Sequence, residues 1–262
     1  TRAPRADTAR VTAEGGNRET RNAAVALADA WGPVAAQIDA SYYDSGGYYL
    51  VSGGERVAFD TRADSRELNL GARTDWTLSP LVSATFGARY FDERRDNGTE
   101  LTYNDTENFS AQAGIEGETS RGDGFRADVF GQIQGFDSTF SSQDRAVEIE
   151  LPSLDQFDVP SGSIGASARW WREVRAEHLV LVGGDYSMAE GDTHEDFRYL
   201  DGGFTRRRKA GGREHLLGLY AQDIWRPAPR LELTAGIRVD YWRSEGGRRR
   251  ERDTTSGAET ID

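Results

Sequence analysis

Seven segments of the chain alternate apolar and polar residues with a period of two, the pattern of a β-strand whose two faces meet different surroundings. In residues 230–242, one face receives Leu231, Leu233, Ala235, Ile237, Val239 and Tyr241, and the other Glu232, Thr234, Gly236, Arg238 and Asp240. The other six segments are 34–42, 67–78, 81–90, 109–115, 125–133 and 164–170. Two further segments, 177–190 and 213–226, have apolar residues on both faces, so their phase stays open. With short strands near 9–16 and 22–31, the pattern predicts about 11 strands.

Short turns and long polar stretches alternate between these segments. This alternation predicts sequential antiparallel hairpins that turn tightly at one end and carry long loops at the other. The short turns are expected at 32–33, 79–80, 120–123, 174–177 and 227–230, and the long polar loops at 45–63, 95–105, 139–161 and 190–213. All seven prolines are expected outside the strands, because proline cannot donate to a central ladder.

Charged residues on the polar face indicate what that face meets. Arg73, Arg89, Arg238, Asp75 and Asp240 all fall on it. A charge facing lipid at mid-bilayer costs about 2 to 4 kcal/mol, so this face is predicted to line a polar lumen while the apolar face meets lipid. The alternative is a soluble sandwich whose apolar faces pack together. Strand length favours the membrane, because soluble strands usually have about 5 to 6 residues and tilted membrane strands about 9 to 11.

Aromatic residues concentrate at both ends of the predicted strands, as membrane interfaces favour. Those before the short turns are Trp31, Trp76, Trp170, Trp171 and Trp225, and those near the long loops are Tyr42, Tyr90, Tyr241 and Trp242. The sequence therefore predicts two interfacial aromatic rings.

Composition excludes several classes of protein. The 262 residues are 37% hydrophobic and 29% charged, and no run approaches the 18 or so apolar residues of a membrane-spanning helix. The net charge of −12 argues against a nucleic-acid partner, which needs a basic surface. Two basic runs, 206–209 and 248–250, are expected in loops beside acidic residues, where a solvated role is the simpler interpretation.

The residues form no recognisable catalytic or metal-binding pattern. His178, His194 and His215 are the only histidines, without HExxH spacing, and cysteine is absent. Residues 194–196 are expected to form a solvated turn rather than a metal site. The sequence therefore predicts no enzyme, no cofactor and no resident metal.

Residues 178–242 and residues 39–50 carry motifs that resemble the barrel of TonB-dependent outer-membrane receptors. Residues 178–187 are similar to one of that family's barrel strands. The run Tyr-Ala-Gln-Asp-Ile-Trp at 220–225, a proline turn, and the strand with Leu231, Leu233, Gly236, Arg238 and Asp240 are similar to the two strands that follow. Residues 39–50, with Gly47 and Tyr48, are similar to the family's third strand and the start of its second external loop.

This resemblance implies a 22-stranded barrel filled by an N-terminal plug, importing a scarce nutrient with energy transmitted through TonB. Residues 1–262 would then be the N-terminal half of the barrel, without the plug, the TonB-contacting segment or the C-terminal strands. The expected fold class is all-β, an antiparallel transmembrane β-barrel segment of meander-connected strands in the outer membrane of a Gram-negative cell. Its partners would be outer-membrane lipid, TonB and a small-molecule ligand.

A ferric siderophore is the expected substrate, with cobalamin or a glycan as alternatives. A passive porin-like channel and a soluble β-rich binding or adhesion module also stay open. Ligand contact is expected from the long loops: aromatic residues there can stack on a flat ligand, and the basic run can attract an anionic chelate. The candidate residues are Tyr48, Tyr49, Phe197, Tyr199, Arg206, Arg207, Arg208 and Lys209.

Overall fold

The computed structural model describes residues 8–175 and 177–261, which form 13 β-strands. Their bounds are β1 Thr8–Gly15, β2 Arg21–Trp31, β3 Val34–Tyr48, β4 Ala63–Ser79, β5 Val82–Thr99, β6 Thr102–Glu118, β7 Gly124–Asp144, β8 Ile149–Asp158, β9 Ser161–Val174, β10 His178–Leu200, β11 Gly203–Ala228, β12 Leu231–Asp253 and β13 Glu259–Ile261. Within the described residues there is no helix long and apolar enough to cross a membrane.

All 13 strands belong to one antiparallel sheet in which chain neighbours pair. β8 and β9 run in the same direction between β7 and β10, so they form one strand interrupted at residues 159 and 160. The sheet therefore has 11 full positions and the short β13, which pairs with the end of β12. The predicted fold class is confirmed. The two additional strands come from the interruption and from β13.

The register assigns every strand to two faces and settles the phase of the two undecided segments. Ile237 on β12 lies opposite Ala221 on β11, which lies opposite Val182 on β10. Arg238 lies opposite Tyr220, which lies opposite Gly183. The apolar face is continuous from β2 to β12, with exposed side chains on successive strands: Leu27, Ile38, Leu70, Phe86, Phe109, Ile133, Ile164, Val182, Leu219 and Ile237.

The sheet curves so that its polar face is concave. Ala30 on β2 and Asp128 on β7 line one concavity of about 880 Å³, although four strands lie between them. Its polar lining includes Arg73, Thr85 and Glu116. The apolar face is therefore convex over these strands, whereas near the extended end residues of that face, among them Phe109, Ile133 and Arg213, line a concavity of their own, of about 900 Å³. We refer to the two sides as the concave face and the convex face.

Three of the four predicted long loops are wrong, because the strands continue through them. Residues 95–105 form the end of β5, a two-residue turn and the start of β6, and residues 190–213 likewise extend β10 and β11. The stretch 139–161 contains the end of β7, a turn and the whole of β8. Both basic runs accordingly lie in strands. Only the stretch 45–63 keeps a long irregular loop, at residues 49–62.

The strands are thus far longer than a membrane crossing requires. β12 has 23 residues, which span about 78 Å along the strand and about 60 Å of height at a tilt near 40°. Its convex apolar residues run only from Leu231 to Tyr241, about 26 Å of height at that tilt, close to the ~25 Å apolar band of such barrels. We call the end with the turns at 32–33, 80–81, 119–123 and 229–230, where β9 also ends and β10 begins, the short-turn end, and the opposite end the extended end.

Two prolines correct the expectation that all lie outside the strands. Pro152 lies within β8 at a register shift opposite Ser141, and Pro227 lies within β11 at the shift between Trp225 and Ala228. Proline has no N–H to donate, so an irregularity in the ladder is where a strand accommodates it. Pro160 marks the interruption between β8 and β9 for the same reason.

The aromatic rings are only partly as predicted. Trp31, Trp76, Trp170 and Trp225 fall on the convex face near the short turns. Trp171 and Trp242 alternate onto the concave face, because neighbours along a strand point to opposite sides. Trp171 instead lies beneath the guanidinium of Arg169, 5.4 Å from the ring centre.

Candidate ligand-binding site

Charged pairs cover the concave face along the part of the sheet that bears the apolar band. Arg73 Nη2 lies 2.9 Å from Asp75 Oδ1, and Arg126 Nε lies 2.7 Å from Asp128 Oδ2. Arg238 bridges Asp185 at 2.7 Å and Asp240 at 2.8 Å. These charges are acceptable because they face a polar interior rather than lipid. The concave wall is hydrated and bears both signs of charge.

At the extended end, strand alternation divides the basic run of β11 between the two faces. Arg206 and Arg208 lie opposite Asp253 and Glu251 of β12 on the concave face. Arg207 and Lys209 project from the convex face. The predicted cluster of four cations is therefore two pairs that point in opposite directions.

The concave pair is part of a compact ionic cluster. Arg208 contacts the carboxylate of Glu195 on β10 and lies 3.5 Å from Glu251 on β12. Arg249 Nε donates to Glu251 at 3.0 Å, and Arg206 contacts Asp253. Glu195 and Glu251 are buried. Three cations face three carboxylates, so the cluster presents positioned donors and acceptors but no net charge.

Two carboxyls of this cluster, those of Glu251 and Asp253, have lowered pKa values. The Arg249 guanidinium lowers the pKa of Glu251, with Arg208 adding to the effect. Hydrogen bonds from Ser256, through its N–H and its hydroxyl, lower the pKa of Asp253 to about 2, with Arg206 contributing less. Glu251 and Asp253 therefore keep their ion pairs at neutral and mildly acidic pH.

Phe197 belongs to the same surface. The guanidinium carbon of Arg208 lies 4.8 Å from the Phe197 ring centre, which is cation–π distance. Tyr199 makes an edge contact with Phe204, with ring centres 5.4 Å apart. The structure therefore brings together four of the eight predicted residues, Phe197, Tyr199, Arg206 and Arg208. We call them the mouth cluster.

The other four predicted residues lie elsewhere. Tyr48 and Tyr49 are at the end of β3, with five strands between β3 and β10 in the sheet. Each ring is covered by an arginine, Arg18 at 5.2 Å and Arg56 at 3.9 Å. Arg207 is bound bidentately by Asp196 on the convex face, and Lys209 lies 3.9 Å from Asp192 there.

One conspicuous group escaped the sequence analysis. Asp60, in the loop 49–62, forms a two-point ion pair with Arg145 at the tip of the β7–β8 hairpin. The Asp60 side chain is 2% exposed, and Arg145 holds the pKa of that carboxyl below its ordinary value. No local signal predicts this pair, because 85 residues separate its members.

The histidines make carboxylate contacts rather than a metal site. His194 Nδ1 lies 2.7 Å from Asp158, and the His194 ring stacks on Phe157. Residues 194–196 belong to strand β10, so the expected solvated turn there is wrong. No group of three or more potential ligands converges anywhere in 8–175 and 177–261.

Residues 13–260 match the family model described as TonB dependent receptor-like, beta-barrel. A search of curated protein sequences gives no match to this chain.

Solved structures share the fold at low sequence identity. The pyoverdine outer membrane receptor FpvA from Pseudomonas aeruginosa PAO1 has a TM-score of 0.74 at 13% identity, with 95% of this chain and 43% of that chain covered. The ferric-catecholate import receptor Fiu from E. coli K12 has 0.73 at 13%, with 98% and 47% covered. The ferric yersiniabactin uptake receptor FyuA from Yersinia pestis has 0.70 at 11%, with 99% and 42% covered. The chain thus spans less than half the length of these receptors.

Proposed function

Since this chain belongs to the TonB-dependent receptor β-barrel family, we propose that it is part of an outer-membrane receptor that imports a scarce nutrient, a ferric siderophore. The observation that carries this proposal is the polar concave face, which continues from the short-turn end to the mouth cluster at the extended end. A convex apolar band of about 26 Å fits the bilayer, while the concave face offers a hydrated path. The printed names of FpvA, Fiu and FyuA, which refer to pyoverdine, ferric catecholates and ferric yersiniabactin, support a siderophore as substrate.

In this proposal the short-turn end is periplasmic and the extended end lies outside the cell, as long hairpins do in this class. Residues 1–262 would be the N-terminal half of a 22-stranded barrel, with a plug and a TonB-contacting segment encoded before them. TonB would supply the energy for import. The chain's own role would be to bind and conduct a ligand rather than to catalyse a reaction.

The mouth cluster would contact the ligand through positioned hydrogen bonds and the Phe197 ring. Because the cluster has no net charge, steering of an anionic chelate by its arginines is weaker than the basic run alone suggests. Tyr48 and Tyr49 would contribute from the other side of the mouth. Arg207 and Lys209, which project from the convex face, would have the smaller share in ligand contact.

The test is iron uptake by cells that produce the full natural receptor, measured with radiolabelled ferric pyoverdine, a ferric catecholate and ferric yersiniabactin, and with cobalamin as a comparison. We expect accumulation of at least one ferric chelate that requires TonB. Accumulation that persists without TonB would favour the porin-like alternative, and a receptor absent from the outer-membrane fraction would favour a soluble module.

Paired substitutions test the mouth cluster in the same assay. Arg206→Gln with Arg208→Gln should reduce uptake more than Arg207→Gln with Lys209→Gln, because only the first pair faces the concave side. Equal defects, or a larger defect in the second pair, would remove the mouth cluster from the ligand path. Any steering contribution should shrink at high ionic strength, where it is screened.

A further inference from the structure

The loop 49–62 is closed against the tip of the β5–β6 hairpin. Thr61 donates its N–H to Gly98 at 3.0 Å, and Glu100 donates its N–H to Phe59 at 3.2 Å. Phe59, the one large hydrophobic residue that is buried in the described part of the chain, belongs to this loop. The loop is therefore a closed unit with a buried apolar side chain of its own.

Asp60 ties this closed loop to a third element. Its carboxylate accepts hydrogen bonds from the Val57 N–H at 2.7 Å and from Arg145 Nη2 at 2.6 Å and Nη1 at 3.1 Å. Arg145 Nη2 also donates to the Glu55 carbonyl at 3.0 Å, and the guanidinium carbon lies 5.4 Å from the Phe59 ring centre. Arg145, from the turn of the β7–β8 hairpin, thus contacts the loop at three residues.

The same loop holds Tyr49 in place. Arg56, next to Glu55, lies over the Tyr49 ring at 3.9 Å and donates from Nε to the Val51 carbonyl at 3.2 Å. Arg56 follows Glu55 directly, and the Glu55 carbonyl accepts from Arg145 while the Glu55 N–H donates to the Ser52 carbonyl at 3.0 Å. Contacts therefore run without a gap from Arg145 to the face of Tyr49.

We propose that Arg145 is a positioning residue for ligand binding, which locks the loop 49–62 through Asp60 and so fixes Tyr49 at the mouth. This inference rests on the proposed function, because Tyr49 is a ligand contact only there. The physical basis is burial: in the closed loop the Asp60 carboxylate is 2% exposed, and without Arg145 it would keep only the Val57 N–H as a partner, an unfavourable state for a buried charge. The loop would then open, so that water could solvate the Asp60 carboxylate, and Phe59 would become exposed.

The experiment uses the full natural receptor with one spin label. This chain has no cysteine, and a Cβ at Gly53 in the loop would meet nothing within 4 Å, so Gly53→Cys supplies a labelling site that does not disturb the loop. The variants are Arg145→Met, Arg145→Lys, Asp60→Asn with Arg145→Met, and the control Arg213→Met. Arg213 binds Glu190 with its Nε at 2.9 Å on the convex face, so the control removes an exposed ion pair remote from the loop.

We expect Arg145→Met to raise the mobile fraction of the label roughly 30-fold or more, while Arg213→Met leaves it unchanged. Lysine keeps the charge but not the two-point geometry and should restore order in part. The double variant removes the buried charge together with its partner and should be less mobile than Arg145→Met alone.

Ligand affinity is measured for the ferric chelate that the uptake assay identifies. If the loop is ordered in a tenth of Arg145→Met molecules, the dissociation constant should rise about ten-fold, whereas Arg213→Met should not change it. A label as immobile in Arg145→Met as in the unmodified receptor would overturn the lock, and a mobile label with unchanged affinity would overturn the positioning role. If no chelate binds the unmodified receptor, the proposed function fails and the positioning role with it, but the label still decides whether the lock exists.

Discussion

Ile237 offers a direct test of which face of the sheet meets lipid. It lies near the middle of the convex apolar stretch of β12, about 15 Å in height above Leu231 at 3.4 Å per residue and a 40° tilt. Its side chain projects from the convex face, away from the charged pairs of the concave face, so a charge introduced there would face lipid. Arg at this depth on the lipid side should destabilise the folded receptor by about 2 to 4 kcal/mol.

Thr234→Arg is the matched control, because Thr234 is on the same strand but on the concave face, where Arg238 already lies. We expect this control to change stability by less than about 1 kcal/mol. The assay is equilibrium unfolding in urea of the full natural receptor refolded into phospholipid vesicles. Comparing the two variants separates the effect of the face from the effect of introducing an arginine.

Two results would refute the reasoning. If Ile237→Arg were as stable as the unmodified receptor, the convex face would not meet hydrocarbon. If Thr234→Arg were equally damaging, the concave face would not be hydrated. In a soluble sandwich, Ile237→Arg would disrupt a core, but the receptor would then unfold at the same urea concentration with and without vesicles.

Further predictions concern the extended end. Glu195→Ala should lower the free energy of unfolding by about 2 to 3 kcal/mol, because Arg208 keeps only its second carboxylate, Glu251, at 3.5 Å. Glu190→Ala, in an exposed ion pair on the convex face of the same strand, should lower it by about 1 kcal/mol or less, and urea unfolding compares the two variants. Gly47→Ala should destabilise the receptor by at least about 2 kcal/mol, because φ at Gly47 is +63° and a Cβ there would collide with the Ala63 carbonyl. Gly53→Ala, where a Cβ meets nothing, should change the stability by no more than about 0.5 kcal/mol. Unfolding in urea measures both variants. The Asp60–Arg145 lock should weaken only in acid. The pKa of Asp60 in the folded protein lies below its ordinary value of 3.8, so the stability that the ion pair gives the closed loop is complete above pH 3.8 and is lost as the pH falls through the lowered pKa. The spin label at position 53 should therefore stay immobile from neutral pH to about pH 4 and gain mobility below it, and mobility already gained near pH 6 would contradict the assignment.

The sequence predicts the wall of the sheet because its two faces meet different surroundings. Residues 231–241 alternate between apolar and polar side chains, because lipid lies on one side of the strand and water on the other. The short turns between strands are predicted from proline and glycine. The extensions could not be predicted in the same way. In 190–213 both faces of the strands meet water, so polar residues occupy both and the period of two disappears.

The site was predictable only as a set of residue types. Arg206 to Lys209 are conspicuous in the sequence, but their division between two faces follows from strand structure that this polar run does not reveal. The partners of Arg208 lie 13 and 43 residues away in the chain, so these contacts depend on the strand register. Asp60 and Arg145 are 85 residues apart, so their contact depends on the course of the loop 49–62. One signal was present: the acidic residues of 190–196 precede a basic run at hairpin spacing, which favours cross-strand ion pairs.

The most direct test of the account is the accessibility of an epitope tag on intact cells that produce the full natural receptor. One tag is inserted in the turn at Asp201 and Gly202, between β10 and β11, and another in the turn at Pro229 and Arg230, between β11 and β12. The account predicts that antibody reaches the first tag on intact cells and the second only after the outer membrane is opened. Antibody reaching the second tag on intact cells but not the first would invert the orientation, and antibody reaching both would contradict a membrane-spanning sheet.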